Sequence, residues 1–498
     1  MKYSPLHEKI LKQEAPGGSP ALLSLVVPSI TRPGQPFELK LAILDSMGYP
    51  SLEYEGSVEV TPPGGGGSQS LLRFETGEPA IGQVSGIRLR EEGVFRFEGK
   101  AGDIEAYSNP TLCSEEKLPG IYWGDPHVHT VLSNCHPDKC RSLNFCYTSA
   151  RFLTGLDWVA AADHVSNGRC DWSKWKEQRT VSELHHDEPD FITLPGYEAS
   201  LKGGAGGDNN VYMVRFPENF VDEYEEGTVK TLCEELKQLL NPEEFFVVPH
   251  HTTRTGKHGE ITDDIYPGPD AMPLIEIYSK WGTSEYRGNS NPLQKIHPGP
   301  SYAVDFLNRG MILGFVAGTD THATMPSGAG EEPGHIDRPP GITAVRADKL
   351  TRRNIFENLQ ARNCYATSLE RILLHGMIDG VQFGEQISAG DLSPEPEIDV
   401  LVAAKSSIRS VELVRNGETI ETLNPDTWNA HFACTDTDKQ NRFMELPGGS
   451  RKQAYYYLRV TCESGAQAWS SPVWVTEEES KLREDNGEKS QYRFHSRG

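Results

Sequence analysis

The sequence predicts an α/β protein in which a barrel around a parallel sheet is flanked on both sides by β-sandwich domains. Between residues 119 and 372, continuous apolar runs such as DWVAAADH and EFFVVPHH alternate with helix-like stretches. This alternation is typical of parallel strands that are buried on both faces. About six such strands over roughly 250 residues favour a closed barrel over an open sheet. On either side, short alternating apolar runs separated by Gly and Pro are typical of β-sandwiches.

The domain boundaries follow these changes along the chain. An immunoglobulin-like β-sandwich is predicted for residues 1–118, the barrel for 119–372 and a second β-sandwich for 373–476. The final stretch, 477–498, is highly charged with few apolar residues, which predicts a disordered tail. At about 150 residues per domain, a chain of 498 residues is expected to hold about three domains.

The net charge and the hydropathy of the chain disfavour some classes of binding partner. The formal net charge of −23 disfavours binding to nucleic acid and to anionic membrane surfaces, which attract basic patches. No apolar run approaches the ~20 residues of a membrane span. The N-terminal stretch MKYSPLHEKILKQEAPGGSP lacks the apolar segment of a secretory signal, so a cytoplasmic protein is predicted. The sandwiches are expected either to pack on the barrel or to build a homo-oligomer.

The nine cysteines are an odd number without repeated spacing, and without a secretory signal they are expected to be thiols. Cys135, Cys140 and Cys146 are close enough in sequence to suggest a zinc site. The tight CxxC pairs of structural zinc sites are missing, however, so a zinc site built from cysteines alone is disfavoured.

The stretch YWGDPHVHT contains two histidines that are two positions apart. On a strand, residues i and i+2 point to the same face, so His127 and His129 can chelate one divalent ion. Such pairs also occur by chance, and the prediction depends on matching ligands elsewhere. Four other apolar runs end in metal-binding residues, and the carboxyl ends of barrel strands open on one face. The candidate metal ligands are His127, His129, His164, Glu198, His250, Asp320 and His322.

Seven candidates exceed the three or four ligands that one catalytic ion needs, which favours a multinuclear centre with Glu198 as a bridge. Nitrogen and oxygen donors suit Zn, Mn or Fe, so two or three such divalent ions are the predicted cofactors. A centre of this kind generates a hydroxide nucleophile at neutral pH. Candidates for moving the proton are Asp320, His322 and His251, and candidates for supporting the ligands are Asp125 and Asp163.

An anionic substrate requires cations besides the metals. The stretch HHTTRTGKHG carries Arg254, Lys257 and His258 after the fourth strand end, where a guanidinium can grip phosphate bidentately. The same stretch is equally typical of a solvated surface loop. The stretch LKGGAGGDNNVY lacks the nucleotide-binding GxxxxGK[ST] pattern and is predicted to be a mobile loop over the site, with Asn209 and Asn210 as donors.

The ordered set HxH, DH, terminal Glu, His and DxH resembles the PHP (polymerase and histidinol phosphatase) superfamily over roughly residues 122–367. Stretches such as IEIYSKWGTSEY and FLNRGMILGFVAGTDTH resemble one poorly characterised bacterial branch, a domain-of-unknown-function family with β-rich flanks. The resemblance implies a distorted (β/α)7 barrel with two or three metals and the hydrolysis of phosphoesters. It assigns His127, His129, Glu198 and Asp320 to the first metal, Glu198 and His250 to the second, and His164 and His322 to the third.

The chain departs from the superfamily pattern at two positions. Members often have a further His six residues after the second His of HxH, where this chain has Cys135 followed by His136. The third-metal ligand is therefore left open between Cys135, His136 and neither. The branch often has Leu or Met before the first His, where this chain has Pro126.

The leading hypothesis from the sequence is a metal-dependent hydrolase acting on a small anionic, phosphate-ester-like substrate. One alternative is hydrolysis of a C–N, C–O or lactone bond, as in amidohydrolase-like barrels, which commonly bridge their metals with a carbamylated Lys rather than a Glu. A second alternative is a non-catalytic, metal-containing binding module.

Overall fold

The structure is a computed structural model that describes residues 3–63, 70–166, 168–202, 205–222, 227–255, 261–328, 338–449 and 452–476. The predicted disordered tail, 477–498, lies outside these residues, and so do two candidate substrate contacts, Lys257 and His258.

The N-terminal part contains one helix and ten strands in its described residues. They are α1 (Pro5–Glu14), β1 (Leu22–Val26), β2 (Ile30–Thr31), β3 (Phe37–Leu44), β4 (Gly56–Thr61), β5 (Ser70–Phe74), β6 (Ile81–Ile87), β7 (Gly93–Phe95), β8 (Glu98–Ala101), β9 (Ile104–Tyr107) and β10 (Thr111–Cys113). Antiparallel strands β1, β3 and β6 form one sheet, and β5, β4, β8 and β9 form another. Leu25, Leu39, Val58 and Phe97 share one core between these sheets, as in a β-sandwich.

The central part carries the candidate ligands. Its strands are β11 (Gly120–Val128), β12 (Trp158–Ala161), β13 (Ile192–Thr193), β14 (Gly196–Ser200), β15 (Asp208–Met213), β16 (Phe245–Pro249), β17 (Leu274–Ser279), β18 (Gly282–Thr283), β19 (Gly314–Ala317), β20 (Gly341–Ala347) and β21 (Cys364–Ser368). They lie in three sheets, which contain β13-β12-β11-β20-β21, β14-β15-β16 and β18-β17-β19.

Five further α-helices lie in the central part. They are α2 (Leu143–Thr148), α3 (Trp172–His185), α4 (Val229–Leu236), α5 (Ala303–Asn308) and α6 (Arg352–Gln360). Side chains cap the first turns of α3 and α6, where Asp171 accepts from the Lys174 amide and Thr351 accepts from the Asn354 amide. No helix in the described ranges is long and apolar enough to cross a bilayer.

The C-terminal part consists of strands that continue the central sheet. They are β22 (Leu373–Ile378), β23 (Val381–Gln382), β24 (Gln386–Ser388), β25 (Glu397–Arg415), β26 (Glu418–Leu423), β27 (Thr427–Thr435), β28 (Met444–Glu445), β29 (Lys452–Cys462), β30 (Gln467–Ser470) and β31 (Val473–Thr476). Strand β21 pairs with β30, so one 15-stranded sheet crosses the predicted boundary between 372 and 373.

The prediction of a (β/α)7 barrel is wrong. The chain is mainly β, with short helices, and its central strands form three separate sheets rather than one closed parallel ring. Within the described central residues, only β11–β12, β12–β13 and β17–β19 are parallel strand pairs, whereas β14–β15–β16 and β11–β20–β21 are antiparallel. A continuous apolar run indicates only that a strand is covered on both faces. Antiparallel strands that lie between packed layers are also covered on both faces, so the pattern does not show strand direction.

Candidate metal centre

Backbone hydrogen bonds join the HxH segment to the DxH segment. The amide of His129 donates to the Thr321 carbonyl over 3.1 Å, and the amide of Asp320 donates to the His127 carbonyl over 2.8 Å. Strand β11 ends at Val128, and Asp320 follows the end of β19, so the two strand ends meet at this point. This pairing brings both histidines and the aspartate together although 191 residues separate His129 from Asp320.

A second pair of backbone bonds joins the DH segment to Glu198. The amide of Glu198 in β14 donates to the Asp163 carbonyl over 3.0 Å, and the amide of Val165 donates back to the Glu198 carbonyl over 3.1 Å. His164 and Glu198 therefore form an isolated parallel bridge between two sheets. His250 directly follows β16, which belongs to the same antiparallel sheet as the β14 strand of Glu198. It is the last of the candidate ligands that these segments bring together.

Four side-chain atoms converge between these segments: Nε2 of His127, Nε2 of His129, Oε2 of Glu198 and Oδ1 of Asp320. The nitrogen of His127 lies 3.5 Å from the Glu198 oxygen and 3.4 Å from the Asp320 oxygen, and that of His129 lies 3.3 and 3.0 Å from them. Ligands at about 2.0–2.1 Å from a tetrahedral ion are about 3.3 Å apart. The four atoms thus have the spacing of ligands around an ion of the size of zinc.

The remaining candidate ligands surround Glu198. Nδ1 of His164 lies 3.1 Å from Oε2 of Glu198, and Nε2 of His250 lies 3.5 Å from Oε1 of the same residue. The two carboxylate oxygens of Glu198 therefore face different histidines. The ring of His322 stacks on that of His129 with centroids 4.5 Å apart. In each of four groups the donor atoms lie within 4.8 Å of one another: His129, Cys135, His164 and His322; His127, His129 and Glu198; His127, His250 and Asp320; and Glu198, Asp208 and His250.

The donor atoms themselves indicate a cation. Nε2 of His127 and Nδ1 of His164 are buried and make no hydrogen bond of good geometry to the described residues, although carboxylate oxygens lie nearby. Buried polar atoms are nearly always satisfied, and an ion between nitrogen and oxygen satisfies both. These buried His, Glu and Asp groups can therefore hold a metal ion.

Charge and burial act in opposite directions on the pKa values here. Burial alone would raise the pKa of Asp320, but the rings of His127 and His251 hold it well below its usual range. Burial would likewise raise the pKa of Glu198, and nearby histidines, His164 foremost, hold it well below the usual value. Both carboxylates are consequently ionised at neutral pH, in the form that binds cations.

Asp163 supports the ligands through a chain of hydrogen bonds. Its carboxylate accepts from Oγ of Ser133 over 2.6 Å and from Oγ1 of Thr130 over 2.7 Å. Oγ of Ser133 lies 3.0 Å from Nδ1 of His129 and so fixes the orientation of that ring. Such contacts behind a ligand set its tautomer and direction.

Asp125 acts on the backbone rather than on a ligand ring. Its carboxylate accepts from the amide of His127 over 3.1 Å and from the amide and hydroxyl of Thr319 over 3.0 and 2.7 Å. Burial raises its pKa to about 6 despite these hydrogen bonds. Asp125 therefore holds the two ligand segments against each other, with Pro126 between it and His127 inside β11.

Cys135, and not His136, belongs to a ligand group in the described part of the chain. The hydrogen bond with the Cys140 side chain lowers the pKa of Cys135, and the sulfur also contacts His164 and His322. His136 instead places its ring edge-on against His322, with centroids 5.1 Å apart.

The site opens into a pocket of about 310 Å³ that contains two arginines, Arg254 and Arg169. The Arg254 guanidinium lies over the ring of Trp281, 4.5 Å from its centre, and Trp281 packs against His251 at 5.1 Å. Nε2 of His251 lies 3.0 Å from Oδ2 of Asp320. The pocket wall thus combines an anion-binding group with the candidate proton carriers.

The predicted loop over the site ends sooner than the sequence suggests. Asn209 and Asn210 lie within β15, paired with β14 and β16, and both are buried. The Asn209 amide donates to the carbonyls of Gly206 and Gly207 over 3.1 and 2.9 Å. Neither asparagine is part of the pocket wall as the described residues form it.

Two residues of the site have unusual backbone conformations. His251 has φ 52° and Asp320 has φ 51°, both in the left-handed region that non-glycine residues rarely adopt. Strain of this kind is concentrated at functional sites, where the surrounding structure enforces it. In this conformation the two side chains are in direct contact, with Nε2 of His251 3.0 Å from Oδ2 of Asp320.

The sequence patterns missed three residues of the site. Glu276 in the middle of β17 contacts His127, Asp208 at the start of β15 joins Glu198 and His250, and Arg169 lines the pocket. A lone carboxylate inside the buried run PLIEIYS was a usable signal, because buried charges are rare unless paired. Asp208 and Arg169 carry no such signal.

No family model matches the chain. Uncharacterized proteins of Chlamydia pneumoniae, Chlamydia muridarum and Chlamydia trachomatis are 28%, 27% and 27% identical to it over 401, 402 and 402 residues. Each alignment covers 78% of this chain and 63% of the relative, so the chain spans less than two thirds of the length of these relatives.

Similarity to solved structures is weak. Trypsin-activated alpha-2-macroglobulin from Escherichia coli is 8% identical, with 97% of this chain and 25% of that chain covered and a TM-score of 0.17. Beta-glucuronidase 3 of Bacteroides uniformis is 10% identical, with 89% and 68% covered and a TM-score of 0.18. TM-scores this low indicate neither a shared fold nor a shared activity.

Proposed function

We propose that the protein is a metal-dependent hydrolase of small anionic phosphoesters. The observation that carries the proposal is that Glu198 and Asp320, both buried and ionised, are each surrounded by several histidines at 3.0–3.5 Å. A single catalytic ion needs three or four ligands, and this cluster offers more.

The overlap of the ligand groups supports a centre of two or three divalent ions. His127, His129, Glu198 and His250 each occur in two of the groups, and Glu198 directs its two oxygens to different histidines. A carboxylate in this position would be able to hold two ions at once. Nitrogen and oxygen donors are compatible with Zn, Mn or Fe at these positions.

Bound divalent ions supply two things in such hydrolases: a water of lowered pKa and positive charge against the anionic transition state. The chain's own residues bind and orient the substrate. Arg254 and Arg169 both line the pocket and can donate hydrogen bonds to the negative oxygens of a phosphate, and a guanidinium does so bidentately. His251, hydrogen-bonded with Asp320, is the group that exchanges a proton with the leaving oxygen, with His322 as its neighbour.

The choice of phosphoesters rests on the arginines and on the order of ligands in the sequence. That order supports a relationship to the PHP superfamily, in which most characterised members act on phosphoesters. Glu198 turns its two oxygens to different histidines and can fill the bridging position that a carbamylated lysine fills in amidohydrolases, which disfavours that class. A cytoplasmic location belongs to the same proposal.

The test combines metal analysis with a substrate panel. We expect the purified full chain to contain transition metal and to hydrolyse a phosphomonoester or phosphodiester, and His127→Ala and Asp320→Ala to lose at least about 100-fold in kcat/KM, in line with removing groups that act on the transition state. The matched control is His431→Ala, an exposed histidine on β27 that contacts Asp399.

Three outcomes would contradict the proposal. Turnover of lactones or amides without turnover of phosphate esters would indicate the amidohydrolase class. Bound metal without any turnover in a broad panel would indicate a binding module. Full activity in both variants would show that the site lies elsewhere.

A further inference from the structure

We propose that Cys135 contributes a thiolate to one ion of the cluster, together with His164 and His322, and that this position selects zinc over manganese. The inference rests on the proposed metal centre and deepens it, because it assigns one position a different donor chemistry from the others.

The geometry brings the sulfur to the histidines. A short 3-10 turn (Val131–Ser133) follows the HxH segment, and Asn134, with φ 53°, reverses the chain before Cys135. The sulfur of Cys135 contacts His164 and His322, and its donor atom lies within 4.8 Å of theirs. Cys140 lies beside it, with its sulfur 3.1 Å from the carbonyl oxygen of His322, so the turn packs against the ligand segment.

His129 belongs to the same group by distance, but both of its ring nitrogens are already engaged. Nδ1 lies 3.0 Å from Oγ of Ser133, and Nε2 lies 3.0 Å from Oδ1 of Asp320. An imidazole nitrogen binds one ion, so His129 serves the ion between Glu198 and Asp320. The Cys135 position is left with three protein ligands, and three ligands with one open coordination position are typical of catalytic zinc.

The other three groups contain only nitrogen and oxygen donors. Thiolate is a soft donor that favours zinc and similar ions, whereas carboxylates suit manganese and magnesium. The cluster therefore has one thiophilic position beside positions that tolerate harder ions. His136 does not replace Cys135, because it lies outside the ligand groups of the described residues and packs on His322.

Cobalt(II) is the probe, because a thiolate ligand gives bound cobalt an intense near-ultraviolet charge-transfer band. We expect metal-free full-length protein to develop this band with Co²⁺, to lose it on adding one equivalent of Zn²⁺, and to keep it in excess Mn²⁺. Cys135→Ser should lack the band and bind Zn²⁺ at this position more weakly by more than the roughly 10–100-fold typical of a lost supporting partner.

Matched variants make the result decisive. Cys135→His should fold, by circular dichroism, and bind cobalt without the band, and Cys434→Ser, a partly exposed cysteine on β27, should behave as the wild type. A band that persists in Cys135→Ser, or that disappears only in Cys140→Ser, overturns the proposal. Equal displacement by Mn²⁺ and Zn²⁺ also overturns it.

The spectrum separates this inference from the proposed function. A zinc-displaceable band without ester hydrolysis retains the thiolate position and removes the hydrolase. If the wild type hydrolyses esters and binds cobalt without the band, the hydrolase is retained and the thiolate position is removed. A protein that binds no cobalt overturns both.

Discussion

Oε2 of Glu276 lies 2.9 Å from Nδ1 of His127, although 149 residues separate the two in the chain. Both side chains are fully buried. Glu276 lies in the middle of β17, on a different sheet from His127 in β11. A proton on Nδ1 can be donated to this carboxylate, and Nε2, which faces Glu198 and Asp320, would then offer its electron pair to an ion between them.

Replacing Glu276 by Gln is expected to weaken Zn²⁺ affinity by about 10–100-fold, because the ring of His127 loses the carboxylate that orients it and raises its basicity. Competition against a chromophoric chelator measures the affinity. The control is Glu421→Gln, an exposed position on β26. Unchanged affinity in Glu276→Gln would mean that packing alone orients His127.

Metal should stabilise the folded chain. Removing it by dialysis against a chelator is expected to lower the melting temperature, because an ion that binds only the native state at 100 times its Kd contributes about 2.7 kcal/mol. Differential scanning fluorimetry with and without added Zn²⁺ measures the effect. Asp320→Ala should show a smaller difference, and identical melting curves for the metal-free and metal-loaded wild type would argue against a bound ion.

A second buried carboxylate, Glu285, joins the central part to the C-terminal strands. It accepts from Nη2 of Arg459 over 2.6 Å, from the Tyr457 hydroxyl over 2.7 Å and from the Trp469 indole over 2.7 Å. Glu285→Gln is expected to lower the free energy of unfolding by about 1–3 kcal/mol, because Arg459 loses its buried counterion and keeps only the partly exposed Glu412 at 3.2 Å. Urea unfolding measures the change.

The matched control for Glu285 is an exposed arginine–glutamate pair. Arg409 and Glu463 make two hydrogen bonds of 2.8 Å, but half of each side chain is in water. Glu463→Gln should leave the unfolding midpoint nearly unchanged, since exposed pairs contribute little. Equal losses in both variants would show that burial does not determine the strength of these pairs.

His375 on β22 should make stability depend on pH. Burial, together with the nearby Arg346, lowers the pKa of His375 to about 4 from its ordinary 6.5. Between pH 6.5 and 4, His375 is therefore protonated in the unfolded chain but neutral in the folded chain. The free energy of unfolding falls as the pH falls through this window. The full effect is about 3 kcal/mol.

Urea unfolding at pH 7.5 and 4.5 tests this dependence. His375→Gln should lose less stability than the wild type on acidification, whereas His431→Gln, on the exposed face of β27, should follow the wild type. Parallel losses in all three proteins would assign the acid sensitivity to other groups.

The sequence could predict the ligands better than the fold that gathers them. His127 and His129 stand out because strand geometry puts residues i and i+2 on one face, and Asp320 and His322 repeat that spacing. Metal-binding residues at the ends of apolar runs remain informative even when the strands belong to different sheets. Local pattern is sufficient to select such candidate ligands, which the structure brings into groups that could hold a metal ion.

Strand direction was not predictable, because it depends on contacts that are remote in sequence. Strand β15 pairs antiparallel with β14 and β16. The Gly-rich stretch LKGGAGGDNNVY, which runs into this strand, predicted a loop. Asp208 was missed for this reason, since its role depends on lying beside Glu198 and His250. Glu276 was missed because its partner is on another sheet.

The long reach of the ligand set also orders events during synthesis. His129 leaves the ribosome 191 residues before Asp320, and at about 5–20 residues per second this interval lasts about 10–40 s. During that time His164, Glu198 and His250 also leave the ribosome, but the position between Glu198 and Asp320 stays incomplete until Asp320 follows. An ion held between Glu198 and Asp320 would therefore bind only after β19 has been made, when the strands of the C-terminal part are still to follow.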